Sequence, residues 1–485
     1  MARYDLAIVG GGPGGASAAK TAAELGLKTV FLERAGRAGE KNASGCGLGQ
    51  RWWKDFPEVM ESVVRLPSYR EIDTCIFKIT DEADHLVATL STGKTRRDRE
   101  RFFCEGVPRG MSGTSVYRSD LDPLLAELAC KAGAELRTST LVTDVLSRDG
   151  KVKGVLTGRG EKIEADVVIG ADGAHSTVAI RSGIRKRFRR DEITLVPQVD
   201  FSCSESRLDD VIGAANLVWF GPYCGAYQVN FRDGFHLGLG QWLDAWDTRP
   251  QDMVKRILKI PAFQAMCRAV DAQLREFQIH LLPWMPHPPR THGEGVMLVG
   301  DAGGFPCPLE AEGIWHACMS GRIAARVAAE AIAKGEPSAA ALAEYERRWK
   351  ESSLSREYRF GREFVSFWRN SAFHPELMKK IVLFLGELQS LTFPGPVFDW
   401  SDDHMTTFNE HLEHLLDVLP ELSGFARQNL VPLGRGISAR NRERIADMLA
   451  GAIRSRLRGI VPRRLIRAVL RKALGLPGSE GATAA

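Results

Sequence analysis

The sequence has no long apolar run and no secretion signal. No stretch of about 18 consecutive apolar residues occurs, which is the length that a membrane-spanning helix requires. The N-terminal residues MARYDLAIVGGG lack the charged region and following apolar region that mark a signal peptide. These absences predict a protein of the cytoplasm, or one bound peripherally to the cytoplasmic face of a membrane.

Cysteine is sparse and scattered. The nine cysteines form no CxxC pair, and none lies beyond Cys318. This distribution argues against a disulfide framework, a zinc site and a cysteine-ligated iron–sulfur cluster. We therefore expect no bound metal, and any iron–sulfur chemistry would require a separate partner protein.

The rest of the composition is that of a globular protein, with 44% hydrophobic and 26% charged residues. A chain of 485 residues exceeds the usual size of one domain, so two or three lobes are expected. The net charge of +5 is uneven, because residues 434–472 hold twelve lysines and arginines against two acids. No recognisable nucleic-acid-binding module accompanies this charge, which argues against a nucleic-acid partner.

Residues 5–33 are typical of a strand, a tight turn, a helix and a second strand. The turn carries the pattern G-x-G-x-x-G at Gly10, Gly12 and Gly15, which lets a pyrophosphate approach backbone N–H groups at a helix N-terminus. Glu33 ends the second strand, where a carboxylate can hydrogen-bond an adenosine ribose hydroxyl. Together these features predict a site for a dinucleotide that contains ADP.

Two further strand ends carry an aspartate beside a glycine. Asp172-Gly173 and Gly300-Asp301 each follow a short apolar run. Because α/β sheets bind ligands at the carboxyl ends of their strands, all three strand ends can serve one long cofactor. A second glycine fingerprint for NAD(P)H is absent from the sequence, so the pattern favours FAD.

These motifs resemble those of the FAD-dependent geranylgeranyl reductase family, which is related to aromatic hydroxylases and to FixC and electron-transfer flavoprotein:quinone oxidoreductases. The resemblance spans residues 4–350. It implies an α/β fold: a Rossmann-like FAD-binding domain of the glutathione-reductase type, an inserted antiparallel β-sheet substrate domain and a helical C-terminal lobe. The implied parts are an FAD-binding domain of residues 1–70, 100–185 and 290–336, a substrate domain of residues 71–99 and 186–289, a helical lobe of residues 337–433, and a basic amphipathic segment of residues 434–485.

The resemblance also implies which residues bind FAD. Glu33 would hold the ADP half and Asp301 the ribityl chain, while a helix that begins near Gly313 would point its N-terminus at the flavin ring. The complete set of cofactor-binding candidates is Gly10, Gly12, Gly15, Glu33, Arg34, Arg118, Asp172, Gly173, Gly300, Asp301, Gly313 and Ile314.

A second set of candidates concerns the substrate. Cys46 precedes a glycine, as in many prenyl reductases, and this makes it a candidate catalytic proton donor; the alternative is a small buried hydrophobic residue. Structural roles are the alternatives for the other candidates too, because half-buried strands favour aromatic residues. The candidates for lining the substrate are Gly47, Trp219, Tyr227, Trp315 and His316.

The C-terminal residues combine arginine with apolar residues at helical spacing. This pattern is typical of a cationic amphipathic helix, which can lie on anionic lipid. Residues 434–475 are therefore expected either to contact a membrane peripherally or to pack on the body of the protein with solvated arginines.

The motif EGI at residues 312–314, after Gly300-Asp301, resembles the reductase pattern, whereas aromatic hydroxylases usually carry histidine where Gly303 stands. We therefore expect hydride transfer from reduced FAD to a C=C bond of an isoprenoid or lipid-like substrate. The external electron donor would be a ferredoxin, NAD(P)H or an electron-transfer flavoprotein. The alternatives are FixC-like electron transfer from an electron-transfer flavoprotein towards quinone, and FAD-dependent monooxygenation.

Overall fold

The computed structural model describes residues 3–40, 45–49, 51–72, 74–80, 83–93, 113–221, 224–245, 249–308 and 311–355, with the single residues 358, 361, 362, 365 and 369. None of the helices in these ranges is both long and apolar enough to cross a membrane. The helices are α1 (Pro13–Glu24), α2 (Arg51–Asp55), α3 (Pro57–Val63), α4 (Arg118–Lys131), α5 (Thr177–Arg181), α6 (Glu205–Val211), α7 (Pro250–Leu258), α8 (Pro261–Ala269), α9 (Gly300–Gly303), α10 (Ile314–Ala333) and α11 (Ala339–Glu351), followed by a 3-10 turn (Ser353–Ser355).

The strands form three sheets. They are β1 (Arg3–Val9), β2 (Thr29–Leu32), β3 (Gly47–Gly49), β4 (Arg70–Ile72), β5 (Thr74–Thr80), β6 (Leu86–Gly93), β7 (Gly113–Ser115), β8 (Glu135–Arg137), β9 (Val142–Arg148), β10 (Lys151–Thr157), β11 (Lys162–Gly170), β12 (Ile193–Ser202), β13 (Ala215–Gly221), β14 (Cys224–Asn230), β15 (Gly234–Leu239), β16 (Gln241–Trp242), β17 (Gln273–Pro283), β18 (His292–Gly293) and β19 (Val296–Leu298).

The first sheet has a parallel centre in the order β19-β11-β1-β2-β8, with β18 at one edge, β10 antiparallel to β11 and β9 antiparallel to β10. Leu6 and Ile8 of β1 enter the core beneath α1, whereas Ala7 and Val9 enter a second core on the opposite face. Burial on both faces explains why β1 is a continuous apolar run. The carboxyl ends of β1, β2, β11 and β19 therefore come together at one edge.

Helices α1 and α10 cross at very short range above this sheet. A Cβ atom on Gly321 would lie 2.3 Å from the carbonyl oxygen of Gly14, so only glycine permits the approach. The Ser17 hydroxyl donates a hydrogen bond to the carbonyl oxygen of Cys318 at 2.8 Å. This contact fixes the start of α10 beside the turn that follows β1.

The second sheet has the order β16-β12-β15-β14-β13-β5-β6, with β17 paired to β12. Its pairs are antiparallel except for β13 and β5, which run parallel. The outer face, which includes Val199, Phe201, Leu217, Trp219 and Leu237, packs against α7 and α8. We call the opposite side, which includes Gln198, Asp200, Tyr227, Val229, His236 and Gly238, the inner face.

Two contacts between the inner face and the first sheet's domain bear on the site. His280 of β17 approaches Asp301 of α9, with Nε2 and Oδ2 3.6 Å apart. A Cβ atom on Gly45 would lie 2.7 Å from Val229 and 3.0 Å from His236. The third, small sheet, in the order β3-β7-β4, continues from this Gly45 segment. The predicted segment 434–485 and most of the predicted lobe 337–433 lie outside the described residues.

Candidate active site

The glycine turn between β1 and α1 is shaped by two glycines that cannot carry a side chain. Gly10 has a φ of +110°, and a Cβ atom there would lie 2.2 Å from the carbonyl oxygen of Ala171. A Cβ atom on Gly15 would lie 1.9 Å from the carbonyl oxygen of Gly10. Gly12 caps α1 with a φ of −74°, and a Cβ atom there would meet nothing within 4 Å. The turn is tight on its protein side and open at the helix N-terminus, which fits a pyrophosphate.

The Glu33 carboxylate is fixed directly beside this turn. Its Oε2 accepts a hydrogen bond from the Gly11 amide at 2.9 Å, and its Oε1 accepts one from the Ala35 amide at 2.8 Å. An ionised carboxylate has further lone pairs, which suit a ribose hydroxyl. Arg34 is exposed next to it. The arrangement at β1, α1 and β2 thus fits the ADP half of FAD.

Asp172 and Gly173 occupy the turn after β11. The Asp172 carboxylate accepts hydrogen bonds from the Ser176 hydroxyl at 2.5 Å and from the Val178 amide at 3.1 Å. Burial raises the pKa of Asp172, and these hydrogen bonds oppose that shift. The side chain therefore holds the start of α5, while the backbone at Gly173, with φ +78°, continues the turn. The prediction that both residues line the cofactor cleft stays a prediction.

Asp301 stands at the third strand end. Gly300 adopts a φ of +54°, and its amide donates a hydrogen bond to the Ser320 hydroxyl at 3.1 Å, which ties the turn to α10. A Cβ atom on Gly313 would lie 3.5 Å from Asp301 Oδ1, so the carboxylate faces the start of α10. Asp301 thus lies between the helix start and His280 of the second sheet.

Arg118, at the first position of α4, forms a bidentate salt bridge with Asp122. The Nε–Oδ1 and Nη2–Oδ2 distances are 2.6 and 2.7 Å, and the Asp122 side chain is fully buried. Burial lowers the pKa of Arg118, but the charge and hydrogen bonds of Asp122 outweigh it and raise that pKa. The negative charge of Asp301, at the third strand end, also raises the pKa of Arg118.

The N-terminus of α10 is occupied by an acid that the sequence prediction did not assign. Oε1 of Glu312 accepts hydrogen bonds from the amides of Ile314 and Trp315 at 2.8 and 2.9 Å. The expectation that the Ile314 end of this helix points free amides at a flavin ring is therefore wrong for these two donors, because Glu312 already binds them. An acid directly before a helix start was the available signal, since it complements the helix dipole.

Glu312 also organises its charged neighbours. Its Oε2 accepts hydrogen bonds from His316 Nδ1 and Arg51 Nη2, both at 3.0 Å. Burial raises the pKa of Glu312, but the hydrogen bond from His316 and the charges of Arg51 and His316 lower it by more. The net shift of the pKa is therefore downward. The partly buried carboxylate and guanidinium and the buried imidazole form a compact network at the start of α10.

Trp315 and His316 face the protein interior rather than a substrate cleft. The Trp315 indole is 2% exposed, donates a hydrogen bond from Nε1 to Asp55 at 2.9 Å and lies 4.1 Å beneath the Arg51 guanidinium. His316 is completely buried beside Glu312. Because their polar atoms already have protein partners, the structural interpretation replaces substrate lining for both residues.

Cys46 is also completely buried, within the core that includes Leu48 and Trp52. Burial raises the pKa of its thiol, and the nearest charges acting on it are those of Arg118, Asp122 and Glu312. This position agrees with the small-hydrophobe alternative for Cys46. Gly47 follows at the start of β3, where a Cβ atom would meet nothing within 4 Å.

Trp219 and Tyr227 do not form one aromatic wall. Trp219 pairs with Ala226, so Tyr227, the next residue along β14, points to the opposite side of the sheet. Trp219 packs on the outer face against Phe263, with ring centroids 5.3 Å apart. The prediction that Trp219 lines the substrate is therefore wrong, whereas Tyr227 lies on the inner face beside His236.

The inner face carries polar residues that the sequence analysis missed. Gln198 is 2% exposed, and neither its Oε1 nor its Nε2 has a hydrogen-bond partner among the described residues. His236 is 3% exposed; its Nδ1 lies 2.6 Å from Asp200 Oδ1, and its Nε2 is buried without a partner in the same ranges. Strand periodicity assigns such residues to a face, but only the register shows which face meets the first domain.

The chain is similar to known flavoproteins over most of its length. The family model described as "FAD binding domain" matches residues 3–353. A digeranylgeranylglycerophospholipid reductase of Methanothrix thermoacetophila is 31% identical over 364 residues, covering 72% of this chain and 84% of that protein. Protein FixC of Salmonella typhi is 29% identical over 387 residues, covering 75% of this chain and 86% of that protein.

A solved structure shows the same fold. The geranylgeranyl bacteriochlorophyll reductase-like protein of Thermoplasma acidophilum superimposes with a TM-score of 0.66 at 22% identity, covering 87% of this chain and all of that chain. The predicted Rossmann-like α/β fold for FAD is thereby confirmed, as are FAD itself and the flavoprotein class. The chain belongs to the FAD-binding-domain family and, within it, to the FAD-dependent oxidoreductases related to digeranylgeranylglycerophospholipid reductase.

Proposed function

We propose that this enzyme saturates C=C bonds of an isoprenoid or lipid-like substrate. The observation that carries the proposal is the 31% identity, over most of both chains, to a protein named digeranylgeranylglycerophospholipid reductase. The reductase-like EGI motif, which places Glu312 at the start of α10, supports the same reading. When FAD is bound and reduced, it supplies the hydride for this reaction.

The chain's own residues bind and orient the reactants. Backbone amides of the turn from Gly10 to Gly15 hold the pyrophosphate, Glu33 and Arg34 hold the adenosine end, and Asp301 holds the ribityl chain beside Arg118. The second sheet acts as an inserted substrate domain, formed by residues 71–99 and 186–289, whose inner face covers the reacting bond and excludes water. The FAD-binding domain then comprises residues 1–70, 100–185 and 290–336.

The decisive experiment uses the full chain loaded with FAD and reduced with dithionite. It is mixed with a panel of geranylgeranyl lipids and prenyl quinones, and the products are weighed by mass spectrometry. Each saturated double bond is expected to add two mass units, about 2 Da, since one hydride and one proton are gained. If no member of the panel gains mass, while the flavin is shown to be bound and reduced, the proposal fails.

FixC-like electron transfer is the second candidate, because a protein named FixC matches 75% of this chain. An electron-transfer flavoprotein, kept reduced, is expected in that case to reduce a soluble quinone only when this enzyme is present. Monooxygenation is tested alongside with an oxygen electrode. Substrate-stimulated NADPH consumption without oxygen uptake would exclude monooxygenation.

The electron donor and the membrane contact are further parts of the proposal. A ferredoxin, NAD(P)H or an electron-transfer flavoprotein supplies electrons, and the enzyme works in the cytoplasm or on the cytoplasmic membrane face. The basic residues 434–475 bind anionic lipid, with each basic residue near the surface contributing about 1 kcal/mol. Co-sedimentation with vesicles is expected with phosphatidylserine and to disappear with phosphatidylcholine alone or at high salt.

A further inference from the structure

Asp200 and His236 form a closely spaced pair on the inner face of the second sheet. They stand opposite each other on β12 and β15, and Asp200 Oδ1 lies 2.6 Å from His236 Nδ1. The Asp200 side chain is 22% exposed, so its carboxylate keeps contact with water, whereas the imidazole is 3% exposed. A carboxylate in this position fixes the orientation of the ring.

The other nitrogen of His236 has no protein partner. His236 Nε2 is buried without a hydrogen bond among the described residues, although an imidazole nitrogen left unpaired in the interior is costly. A Cβ atom on Gly238 would lie 3.1 Å from both this nitrogen and the Tyr227 hydroxyl. Nε2 and the Tyr227 hydroxyl therefore both lie close above Gly238, where even a methyl group would be crowded.

The His236 ring touches the cofactor domain. A Cβ atom on Gly45 would lie 3.0 Å from His236 Cδ2 and 3.2 Å from Tyr227 Cε2, so both rings touch the segment that precedes β3. On the same face, His280 reaches Asp301 at the third strand end. His236 thus faces the space between the two sheets' domains, where the proposed reaction takes place.

Other acids near this space are less suited to supply a proton. Burial and the charge of Asp200 raise the pKa of Tyr227 to about 12. The Cys46 thiol is completely buried in the core that includes Leu48 and Trp52, and burial raises its pKa. Histidine is the side chain whose ordinary range lies near neutral pH, as a general acid requires.

We propose that His236 is the catalytic acid of the reduction and that Asp200 is its positioning residue. This rests on the proposed function. One carbon of the C=C bond accepts the hydride supplied by reduced FAD, and the π electrons take the proton from His236 Nε2 at the other carbon. The imidazolium becomes a neutral imidazole whose Nδ1–H remains on Asp200, and it regains one proton from solvent after product release.

Several charged or titratable groups lie near the dyad formed by Asp200 and His236 and influence how its activity depends on pH. Glu276 of β17 stands opposite Asp200 on β12. Tyr227 lies beside the imidazole on β14, and the charge of Asp200 also acts on Tyr117 at the start of α4. Arg275 lies over the Tyr117 ring at 5.2 Å.

The test compares His236→Gln with His287→Gln, a control at an exposed histidine outside the dyad. In single-turnover saturation of a prenyl lipid, His236→Gln is expected to slow product formation by about 100-fold or more and to remove the pH dependence of that step. Flavin absorbance and the substrate dissociation constant are expected to stay close to those of the parent. Asp200→Asn should slow the step less, and Asp200→Glu should restore part of the rate.

Nitrogen-15 NMR of the labelled histidines provides a readout that does not depend on turnover. Asp200→Asn is expected to change the tautomer signals of His236, whereas His287→Gln leaves them in place. An unchanged rate and pH profile in His236→Gln, or a loss confined to Cys46→Ala, would overturn the dyad proposal alone. If the unmodified enzyme saturates no lipid, the proposed function is wrong, and the dyad then has no role in such a reaction.

Discussion

The two faces of the second sheet satisfy their polar groups in opposite ways. On the outer face, Trp219 Nε1 donates to Gln228 Oε1 at 3.0 Å, and Gln228 Nε2 donates to Asn230 Oδ1 at 2.8 Å. On the inner face, the Gln198 amide and His236 Nε2 are equally buried but have no partner among the described residues. A completed network stabilises a fold, whereas buried polar atoms without partners cost stability and indicate a place for a ligand. We therefore expect a structural role for the outer face and a ligand-binding role for the inner face.

The largest effect is expected from removing the anchor of the outer face. Trp219→Ala deletes an indole that is 2% exposed and packs on Phe263, and such a change costs about 3 to 5 kcal/mol of unfolding free energy. Denaturant unfolding of the FAD-loaded protein measures the loss. The fraction that remains folded should keep its flavin and its turnover rate. A rate that fell while the unfolding free energy stayed constant would place Trp219 back among the substrate contacts.

The same distinction can be made within the glycine turn. Gly15→Ala would bring a methyl group to 1.9 Å from the Gly10 carbonyl oxygen, and we expect a loss of about 3 kcal/mol together with most bound flavin. Gly12→Ala adds a methyl group where nothing lies within 4 Å. Stability should then be unchanged, while the dissociation constant for FAD rises. If Gly12→Ala destabilised the protein as much as Gly15→Ala, the side of the turn at Gly12 would not be open for a ligand.

The third prediction compares matched glutamines on the two faces. Gln228→Leu leaves the Trp219 indole N–H and the Asn230 carbonyl oxygen unpaired, so it should destabilise the protein by about 1 to 3 kcal/mol. Gln198→Leu removes two atoms that have no partner among the described residues and should be neutral or slightly stabilising. Thermal unfolding of both variants without substrate checks the difference. Destabilisation by Gln198→Leu as large as that by Gln228→Leu would contradict the functional assignment of the inner face.

Local patterns predicted the geometry of the glycine turn and the strand ends better than the faces of the second sheet. Gly10, Gly15 and Glu33 act through backbone conformation and strand ends, which a short segment determines by itself. Trp219 and Tyr227 were grouped wrongly because their faces depend on the register between β13 and β14, which pairs Trp219 with Ala226 and not with Tyr227. His236 and Asp200 are 36 positions apart, and only the pairing of β12 with β15 brings them together.

The smallest expected effect concerns Glu312, a polar group whose partners are all protein. Glu312→Gln keeps an acceptor for the Ile314 and Trp315 amides but loses the charge that binds Arg51 and His316, so it should cost about 1 kcal/mol at neutral pH. Because folding lowers the pKa of Glu312, its contribution is complete above the usual glutamate range and is lost as the pH falls through the lowered folded-state value.

The parent and Glu312→Gln should therefore unfold at nearly the same denaturant concentration in acid and differ as the pH rises. Unfolding curves over a pH series give this difference directly, with Glu336→Gln, at a surface position near the end of α10, as a control. A constant gap between the curves at all pH values would mean that the Glu312 charge does not stabilise the start of α10. A difference between the two unfolding curves that grows with pH would show that Glu312 has a structural role, in contrast with the unpaired polar atoms of the inner face.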